Sequence, residues 1–540
     1  MNPTILTITL LYFTVTLSIG FWVARREKKN ADDYFLAGRK LPWYAVSLSM
    51  TGSNIGTEHF IGMVGTAYAF GLAPATFEWG NFIPYTVLIW IFLPFFYRKK
   101  LYTIPEFLER RFNPSTRSVF AFFSLFHMVF VVLAPALYVG GRIVYEMALQ
   151  KPVTEFTWPY MGCVLIISGV TAAYCIYGGL KSVVWTDVLQ VVVLVGGGLL
   201  LLLVGAGRAG GLEAVIDTNL DASPDRFSLI LPADHTVSPW TGVATFWFTL
   251  SMWYVGTNQF YIQRCLGARS EWDAKMGVIG CGMIKVFLPL IIVFPGLVAF
   301  AMFGPGLAED AVYVKMIGEL LPPAGQGLLL AALIAAIMST VSSVLNSSST
   351  IWSVDVYKRL LKRDAEDKEM VRVGRWSTLV VIVVGTAFAP FLLRWEGGIF
   401  IYIQDMAAFL APPITVIFLA AFLWRRAHGR AACFTLVFGI VSGIGLKIVA
   451  ETFGENGIET LKPLLNRAAA NWFLCLVALV AATVIIPRNR TESYDRDAIW
   501  NRRWARLPED ERSLNRGGRN LLLWWLVMVG ASASLFVIFH

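Results

Sequence analysis

Charged residues are scarce in this chain. Only 15% of its 540 residues are Asp, Glu, Lys or Arg, whereas a soluble protein carries about 25%. Hydrophobic residues make up 56% of the sequence, and they fall in long runs separated by short polar stretches. This pattern excludes a chain of soluble domains, although the length alone would suggest several of them. The composition is typical of a protein that crosses a lipid bilayer many times.

Histidine and cysteine are also rare, with five and six residues. The cysteines show no metal-ligand spacing and no paired framework. The sequence has neither a His-Glu-x-x-His pair nor a Gly-x-Ser-x-Gly turn, and no signalling domain follows the last apolar run. These absences argue against an enzyme, a cofactor-binding protein or a sensor. The net charge of +9 lies in short loops and forms no basic stripe, so we do not expect a nucleic-acid partner.

A helix needs about 20 mostly apolar residues to cross a bilayer. Fourteen segments meet this requirement, and we name them spans 1 to 14. They are predicted at 4–24, 43–70, 77–98, 118–147, 158–178, 183–206, 239–263, 275–303, 323–357, 376–393, 397–424, 431–450, 469–487 and 520–539. The sequence therefore predicts an all-α polytopic membrane protein with 14 transmembrane helices.

The basic residues predict the orientation of the chain. They cluster at 25–29, 98–100, 358–363, 425–426 and 488–519, and fourteen spans place all five clusters on one side. Because basic loops stay in the cytoplasm, both termini are expected to be extracellular or periplasmic. Span 1 lacks a preceding positive charge and a cleavage site, which favours a spanning helix over a signal peptide. We expect a multi-pass protein of a bacterial inner membrane or a plasma membrane.

Two spans contain polar interruptions. Span 2 carries a polar, glycine-bearing run at 51–59, and span 7 carries Ser251 followed by 256–259. Broken helices occur inside a membrane only where they line a cavity or a site. The interruptions open two successive five-helix sets, spans 2–6 and 7–11, which is typical of an inverted repeat with a site at the bilayer midplane. Helix kinks that serve packing are the alternative.

Span 9 contains a row of hydroxyl groups spaced by three and four residues, at Ser339, Ser342, Ser343 and Ser347. A monovalent cation prefers oxygen ligands, and hydroxyls together with carbonyls freed by a broken helix would supply them. Ionisable groups within or near the ends of spans are a further sign, because each one is expensive in hydrocarbon. They are Glu58, His59, Glu78, Asp187 and Lys285, and they are expected either to pair with one another or to bind a solute or an ion.

Several short stretches carry a family resemblance by their order and spacing. They are SNIGTEHFIGM (53–63), FEWG (77–80), YTIPEFLERRF (102–112), YGGLKSVVWTDVLQ (177–190), NQFYIQR (258–264) and LNSSST (345–350). Together they resemble the sodium:solute symporters, especially the sodium/sugar cotransporter branch. The resemblance implies a leucine-transporter-type 5+5 inverted-repeat core with flanking helices. It also implies sodium-coupled import of a sugar or a similar small polar solute by alternating access.

The resemblance further implies roles for particular residues. Sodium would bind the backbone carbonyls of Gly52, Ile55 and Ala336 and the hydroxyls of Ser339 and Thr340. The solute would bind Asn54, His59, Glu78, Ser251, Lys285 and Gln404, above an inner gate at Tyr254. A second sodium ion would use Asp187, Ser342 and Ser343, and the alternative is that Asp187 pairs with a basic residue. The chain departs from the family at Val255, where Trp is usual, and at Ser251, where sugar transporters have Asn or Thr.

The expected organisation follows from these assignments. It comprises an extra N-terminal helix and cytoplasmic loop (1–42), the first repeat (43–206), an extracellular loop (207–238), the second repeat (239–424) and three C-terminal helices (425–540). The charged segment 488–519 is expected to be a solvated cytoplasmic linker, with a docking role as the alternative. The sequence leaves open another solute, such as an inositol, a sialic or other organic acid or an amino acid. It also leaves open coupling to protons and the oligomeric state.

Overall fold

The structure is a computed structural model. It describes residues 2–25, 30–56, 59–149, 151, 153, 155–233, 235, 238–394, 399–453, 459–488 and 495–539. Within these ranges all regular secondary structure is helical, apart from two isolated β-bridges, Leu41 with Ala268 and Leu231 with Pro239. The all-α prediction is therefore confirmed.

The helices follow the predicted spans closely. Span 1 is Pro3–Ala24, span 3 is Ala75–Arg98 and span 4 is Pro114–Leu149. Span 2 consists of Trp43–Asn54, His59–Met63 and Val64–Phe70, and span 7 consists of Trp240–Phe246, Leu250–Thr257 and Gln259–Leu266. The segment Trp158–Arg208 contains both span 5 and span 6. Spans 8 to 14 are Glu271–Phe287 with Pro289–Phe303, Pro323–Leu361, Asp367–Arg394, Ile399–Leu423, Gly429–Phe453, Leu464–Ile485 and Leu521–Ile538.

Short helices occupy several predicted loops. These α-helices are Ala31–Leu36, Ile104–Arg111, Leu212–Ala222 and Glu309–Leu320, and the single 3₁₀ turns are Ala37–Arg39, Pro224–Phe227, Glu459–Leu461, Arg496–Ala498, Glu509–Leu514 and Gly517–Arg519. Among the described residues ten helices are long and apolar enough to cross a membrane, or eleven when the pair bent by 45° in span 8 counts as one. The count of fourteen stays a prediction, because spans 2 and 7 are broken and spans 5 and 6 share one helical segment.

The 51-residue segment Trp158–Arg208 reverses direction within itself. As a straight helix it would be about 77 Å long, more than twice the hydrocarbon thickness of a bilayer. The reversal lies at Gly179, whose φ of 52° and ψ of −152° are not helical. Tyr174 donates to the Met338 carbonyl at 3.4 Å, while Asp187 accepts from Ser339. Because residues on either side of Gly179 meet the same turn of span 9, spans 5 and 6 run in opposite directions.

Span 9 lies at the centre of the bundle. In its most apolar stretch 94% of residues are buried, against 28% in spans 1, 12 and 13 and 17% in span 14. The four outer helices therefore surround the core that spans 2 to 11 form. A polar, hydroxyl-rich helix at the centre cannot face lipid, so its hydroxyls must bond within the protein.

The segment 495–519 contacts the bundle, although about half of its residues are exposed, and the solvated linker stays a prediction. The Glu511 carboxylate accepts backbone N–H bonds from Glu271 at 3.0 Å and Trp272 at 2.8 Å, at the first turn of span 8. The Arg98 guanidinium lies 5.1 Å from the Trp504 ring centre and makes two bonds to Glu271, at 2.6 and 3.0 Å. Among the charged residues of this segment, Glu511 is used in these contacts, whereas Arg502, Arg503 and Arg516 are exposed.

We expect the substitution Glu511→Ala to weaken this docking, because it removes the acceptor for two N–H groups at a helix start. Loss of such a capping group typically costs about 1 kcal/mol. The apparent melting temperature, followed by tryptophan fluorescence in detergent, should fall. Glu509 is exposed and pairs only with Arg512 at 3.3 Å within the described chain, so Glu509→Ala is the matched control and should melt like the unaltered protein. Equal melting of both variants would contradict the docking role.

Candidate cation and solute site

The predicted interruption of span 2 is confirmed. The helix Trp43–Asn54 ends where Ile55 adopts an extended conformation with φ −90° and ψ 95°. In a continuous helix the N–H groups of Gly56 and His59 would bond to the carbonyls of Gly52 and Ile55. The Gly56 N–H instead donates to His59 Nδ1 at 3.2 Å, and the His59 N–H donates to the Gly56 carbonyl at 3.1 Å. Neither N–H group therefore bonds to the carbonyl that it would meet in a continuous helix, and both of those carbonyls were predicted as cation ligands.

The hydroxyl groups of span 9 face this break. A Cβ atom added to Gly52 would lie 3.1 Å from Ser339 Oγ and 3.6 Å from the Asp187 carbonyl oxygen. Spans 2, 6 and 9 therefore meet at Gly52, and the lack of a side chain there permits the close approach. Ser343 donates to Ser53 Oγ at 3.0 Å, which joins the same two helices. All these residues are buried.

The predicted sodium ligands suit a cation in their chemistry. Ser339 donates its proton to Asp187 Oδ1 at 2.7 Å, and Thr340 donates to the Ala336 carbonyl at 3.1 Å. A hydroxyl that donates one bond keeps its oxygen lone pairs for a cation. The Asn54 side-chain oxygen is buried and has no hydrogen-bond partner within the described part of the chain. No cluster of three or more His, Cys, Asp or Glu in the described ranges could hold a metal ion.

Asp187 forms an ion pair with Arg264 at the centre of the bundle. The two side chains are fully buried, and Arg264 Nη2 lies 3.2 Å from Asp187 Oδ2. Ser49 also donates to Oδ2 of Asp187, at 2.5 Å, and Arg264 donates to Ser343 Oγ at 2.5 Å. This arrangement matches the alternative in which Asp187 pairs with a basic residue.

The second sodium ion stays a prediction. Of its three proposed ligands, Asp187 and Ser343 both contact the Arg264 guanidinium, while Ser342 donates back to the Ser339 carbonyl at 3.0 Å. A cation between Asp187 and Ser343 would be repelled by the guanidinium. Binding there would therefore require Arg264 to move away.

A second charged group joins spans 2, 3 and 8. Lys285 donates a hydrogen bond to Glu78 Oε2, and His59 Nε2 lies 3.5 Å from Glu78 Oε1. Glu78 and Lys285 are almost fully buried. The structure thus brings together three of the six predicted solute residues. Glu58, which precedes His59, lies outside the described residues.

The predicted solute residues Ser251 and Gln404 and the predicted gate Tyr254 lie outside the group formed by Glu78, Lys285 and His59. Ser251 donates to the side-chain oxygen of Asn81, which joins spans 7 and 3. Tyr254, the predicted gate, is half-buried and donates to the Ser53 carbonyl at 3.3 Å, next to the span 2 break. Gln404 is half-buried on span 11, and no hydrogen bond in the described part of the chain connects it to the Glu78 group. Its role stays a prediction.

Sequence reasoning missed three residues of this region. Ser49 and Asn81 lie within spans 2 and 3, one turn from residues that were singled out, so helical spacing from Ser53 or Glu78 could have found them. Arg264 lies directly after the predicted end of span 7 at residue 263. The structure buries it completely. Only its position in the stretch NQFYIQR signalled importance.

The broken helices and the oxygen-lined junction define the class of protein. The fold is similar to a Na⁺-coupled sialic acid symporter in a substrate-bound outward-open state, with TM-score 0.75, 22% identity, and coverage of 90% of this chain and 98% of that one. It also resembles Mhp1, a nucleobase-cation-symport-1 family transporter, with TM-score 0.51, 14% identity, and coverage of 85% and 96%. The chain therefore has the leucine-transporter-type fold of secondary transporters.

The particular family follows from the sequence comparisons. The sodium:solute symporter family matches residues 34–439, and this chain belongs to it. It is 34% identical over 465 residues to the sodium/glucose cotransporter of Vibrio parahaemolyticus, covering 81% of this chain and 84% of that protein. It is 32% identical over 490 residues to the human sodium/myo-inositol cotransporter, covering 83% of this chain and 67% of the relative. The chain is a multi-span membrane transporter, not an enzyme.

We expect Arg264→Leu to destabilise the protein strongly, because it leaves the buried Asp187 carboxylate without its counter-charge. Breaking one partner of a buried pair costs about 3–5 kcal/mol. The double variant Arg264→Leu/Asp187→Asn should recover much of the loss, since no charge is then unpaired. Melting in detergent is the measurement.

The matched control for this cycle is Arg512→Leu. Arg512 forms a pair with Glu509 at 3.3 Å, and the two side chains are 58% and 87% exposed, so this surface pair contributes little. If the double variant were no more stable than Arg264→Leu alone, the Asp187–Arg264 interaction would not be the source of the effect.

Proposed function

We propose that this chain is a sodium-coupled symporter that imports a neutral, polyhydroxylated solute of the sugar or cyclic polyol class by alternating access. Family membership gives sodium-coupled symport of a small polar solute. The finer solute class is our own inference, and the charge-compensated Glu78–Lys285 pair carries it.

The pair favours a neutral solute for an electrostatic reason. A free carboxylate needs a positive group that is not already neutralised, and Lys285 is occupied by Glu78 at a buried position. Hydroxyl groups, by contrast, can donate to a carboxylate and accept from an ammonium or an imidazole. A buried site of paired donors and acceptors also rejects analogues that lack the matching hydroxyl. The relatives named for glucose and for myo-inositol fit this class, since both solutes are neutral rings with several hydroxyls.

Sodium would bind where span 2 is interrupted. The carbonyls of Gly52 and Ile55 would serve as ligands together with the Ser339 hydroxyl, whose oxygen would lie 3.1 Å from a Cβ atom added to Gly52. With Thr340 and the Ala336 carbonyl these atoms form the proposed sodium site. A cation held there would tie span 2 to span 9 and favour the state in which they lie together. One charge that moves inward through 100 mV gains about 2.3 kcal/mol, which adds to the driving force.

The function is tested by uptake into proteoliposomes. D-glucose, D-galactose, myo-inositol, sialic acid and an amino acid are supplied in labelled form with an inward gradient of sodium or of choline. The proposal predicts sodium-dependent accumulation of a neutral polyol and none of sialic acid. Accumulation of only the acid or the amino acid would contradict the solute class. Equal uptake with choline, or uptake driven by a proton gradient alone, would contradict sodium coupling.

Two substitutions should separate the ion site from the solute site. Ser339→Ala removes a proposed sodium ligand, and we expect the sodium concentration for half-maximal uptake to rise about tenfold or more, since bonds to charged groups are worth about 1.5–3 kcal/mol. Gln404→Ala removes a neutral hydrogen-bonding group, and we expect the solute KM to rise about fivefold while sodium dependence is kept.

Ser349→Ala is the matched control for the ion site. It removes a buried hydroxyl from the same helix, but that hydroxyl bonds to the Gly374 carbonyl of span 10 at 2.8 Å. Sodium dependence should be unchanged in this variant. If Ser339→Ala behaved like Ser349→Ala, the proposed sodium ligands would be wrong.

A further inference from the structure

A small cavity lies at the interruption of span 7, between spans 4, 7 and 11. Its polar lining consists of Ser124 and His127 from span 4 and Thr257 and Asn258 from span 7, and Trp253 supplies an aromatic wall. Apolar side chains of spans 4 and 11 close the remainder. The cavity has a volume of about 10 Å³, which is close to the space that one water molecule needs.

Asn258 lies at the second of the two breaks in span 7. It adopts φ −80° and ψ 125° between the helices Leu250–Thr257 and Gln259–Leu266. Its side chain is buried, and the amide nitrogen Nδ2 has no hydrogen-bond partner among the residues that the structure describes. A buried donor without a partner costs about 1–3 kcal/mol. Such a cost needs an explanation, and a ligand that enters the adjoining cavity would supply the missing acceptor.

His127 is a second polar group without a partner in this cavity. Its ring is buried and packs edge-on against Trp253, with the ring centres 4.6 Å apart. Neither ring nitrogen makes a hydrogen bond within the described residues. The two groups sit on different helices, so a ligand between them would bridge span 4 and the break in span 7.

The cavity lies beyond the predicted gate along the transport direction. Tyr254 precedes Asn258 by one helical turn and donates to the Ser53 carbonyl at the span 2 break. In the proposed topology span 7 runs from the outer side to the cytoplasm. The cavity is therefore on the cytoplasmic side of Tyr254, and the Glu78–Lys285 pair belongs to the site above the gate.

The polar groups that line the cavity indicate which class of ligand it could bind. An amide N–H donor is unsuited to a cation, which needs oxygen ligands, and the cavity contains no carboxylate. Donors, hydroxyls and an indole wall suit a neutral molecule with several hydroxyl groups. We propose that this cavity is a second solute site, where hydroxyls of the departing solute bond to Asn258 and His127 before release into the cytoplasm. The proposal rests on the proposed function, and the cavity must widen as the solute passes.

Solute protection tests the site directly. In the full-length variant Ser124→Cys, a membrane-impermeant thiol reagent is applied from the cytoplasmic side, with labelling of the unaltered protein as background. Addition of D-glucose or myo-inositol, whichever the unaltered protein transports, should slow the labelling of this cysteine. Labelling that the transported solute does not slow would overturn the proposal.

Release kinetics provide an independent test. Asn258→Leu and His127→Phe should each slow solute release to the cytoplasmic side by about three- to tenfold, the value of one lost hydrogen bond, while solute binding from the outside is kept. Thr386→Val is the control, because Thr386 carries a buried hydroxyl without a partner on span 10, away from the cavity. Unchanged release in both variants, or loss of outside binding, would contradict a separate inner site.

The two proposals fail in different ways. Sodium-driven uptake by the unaltered protein is measured first, and its absence for every solute in the panel would overturn the proposed function and this site with it. If uptake is sodium-driven but Ser124→Cys is not protected, only the second solute site is wrong.

Discussion

A polypeptide in hydrocarbon must satisfy its backbone N–H and C=O groups with hydrogen bonds inside the protein. The break in span 2, at the centre of this transporter, is a local exception. The N–H groups of Gly56 and His59 turn away from the carbonyls of Gly52 and Ile55. Exposed to lipid, those carbonyls would each cost several kcal/mol. The span 9 hydroxyl of Ser339 lies close to Gly52, which has no side chain to prevent the approach, but it donates its proton to Asp187 and not to these carbonyls. A cation would complete the arrangement.

The buried charges follow the same rule of internal compensation. Asp187 pairs with Arg264, and Glu78 pairs with Lys285, so the charges within each of these two buried pairs cancel before any ligand binds. A neutral solute would not change the net charge around the Glu78–Lys285 pair. In the proposed sodium site, the ion would add one charge near Asp187, and this added charge would respond to the membrane potential. Ion binding and solute binding are thus electrostatically distinct, although they share span 2.

The central features could be predicted from particular residues. The polar run that contains Gly52 and Asn54 predicted the broken helix, and the serines spaced by three and four predicted the hydroxyl face. Arg264 and the segment 495–519 could not be predicted in the same way. A hydropathy pattern predicts that charged residues are exposed to solvent. Arg264 instead lies beside a carboxylate from span 6, and Glu511 caps the start of span 8. Their partners are distant in sequence, so only the folded chain reveals them.

The claim that a cation sits between the span 2 break and the span 9 hydroxyls can be tested most directly by imaging the protein in two buffers. Cryo-EM maps in sodium chloride and in choline chloride, at a resolution that places ions, should differ at one point. The account predicts a peak between the carbonyls of Gly52 and Ile55 and the Ser339 hydroxyl in sodium only. A continuous helix through Ile55, or the absence of a sodium-dependent peak there, would contradict it.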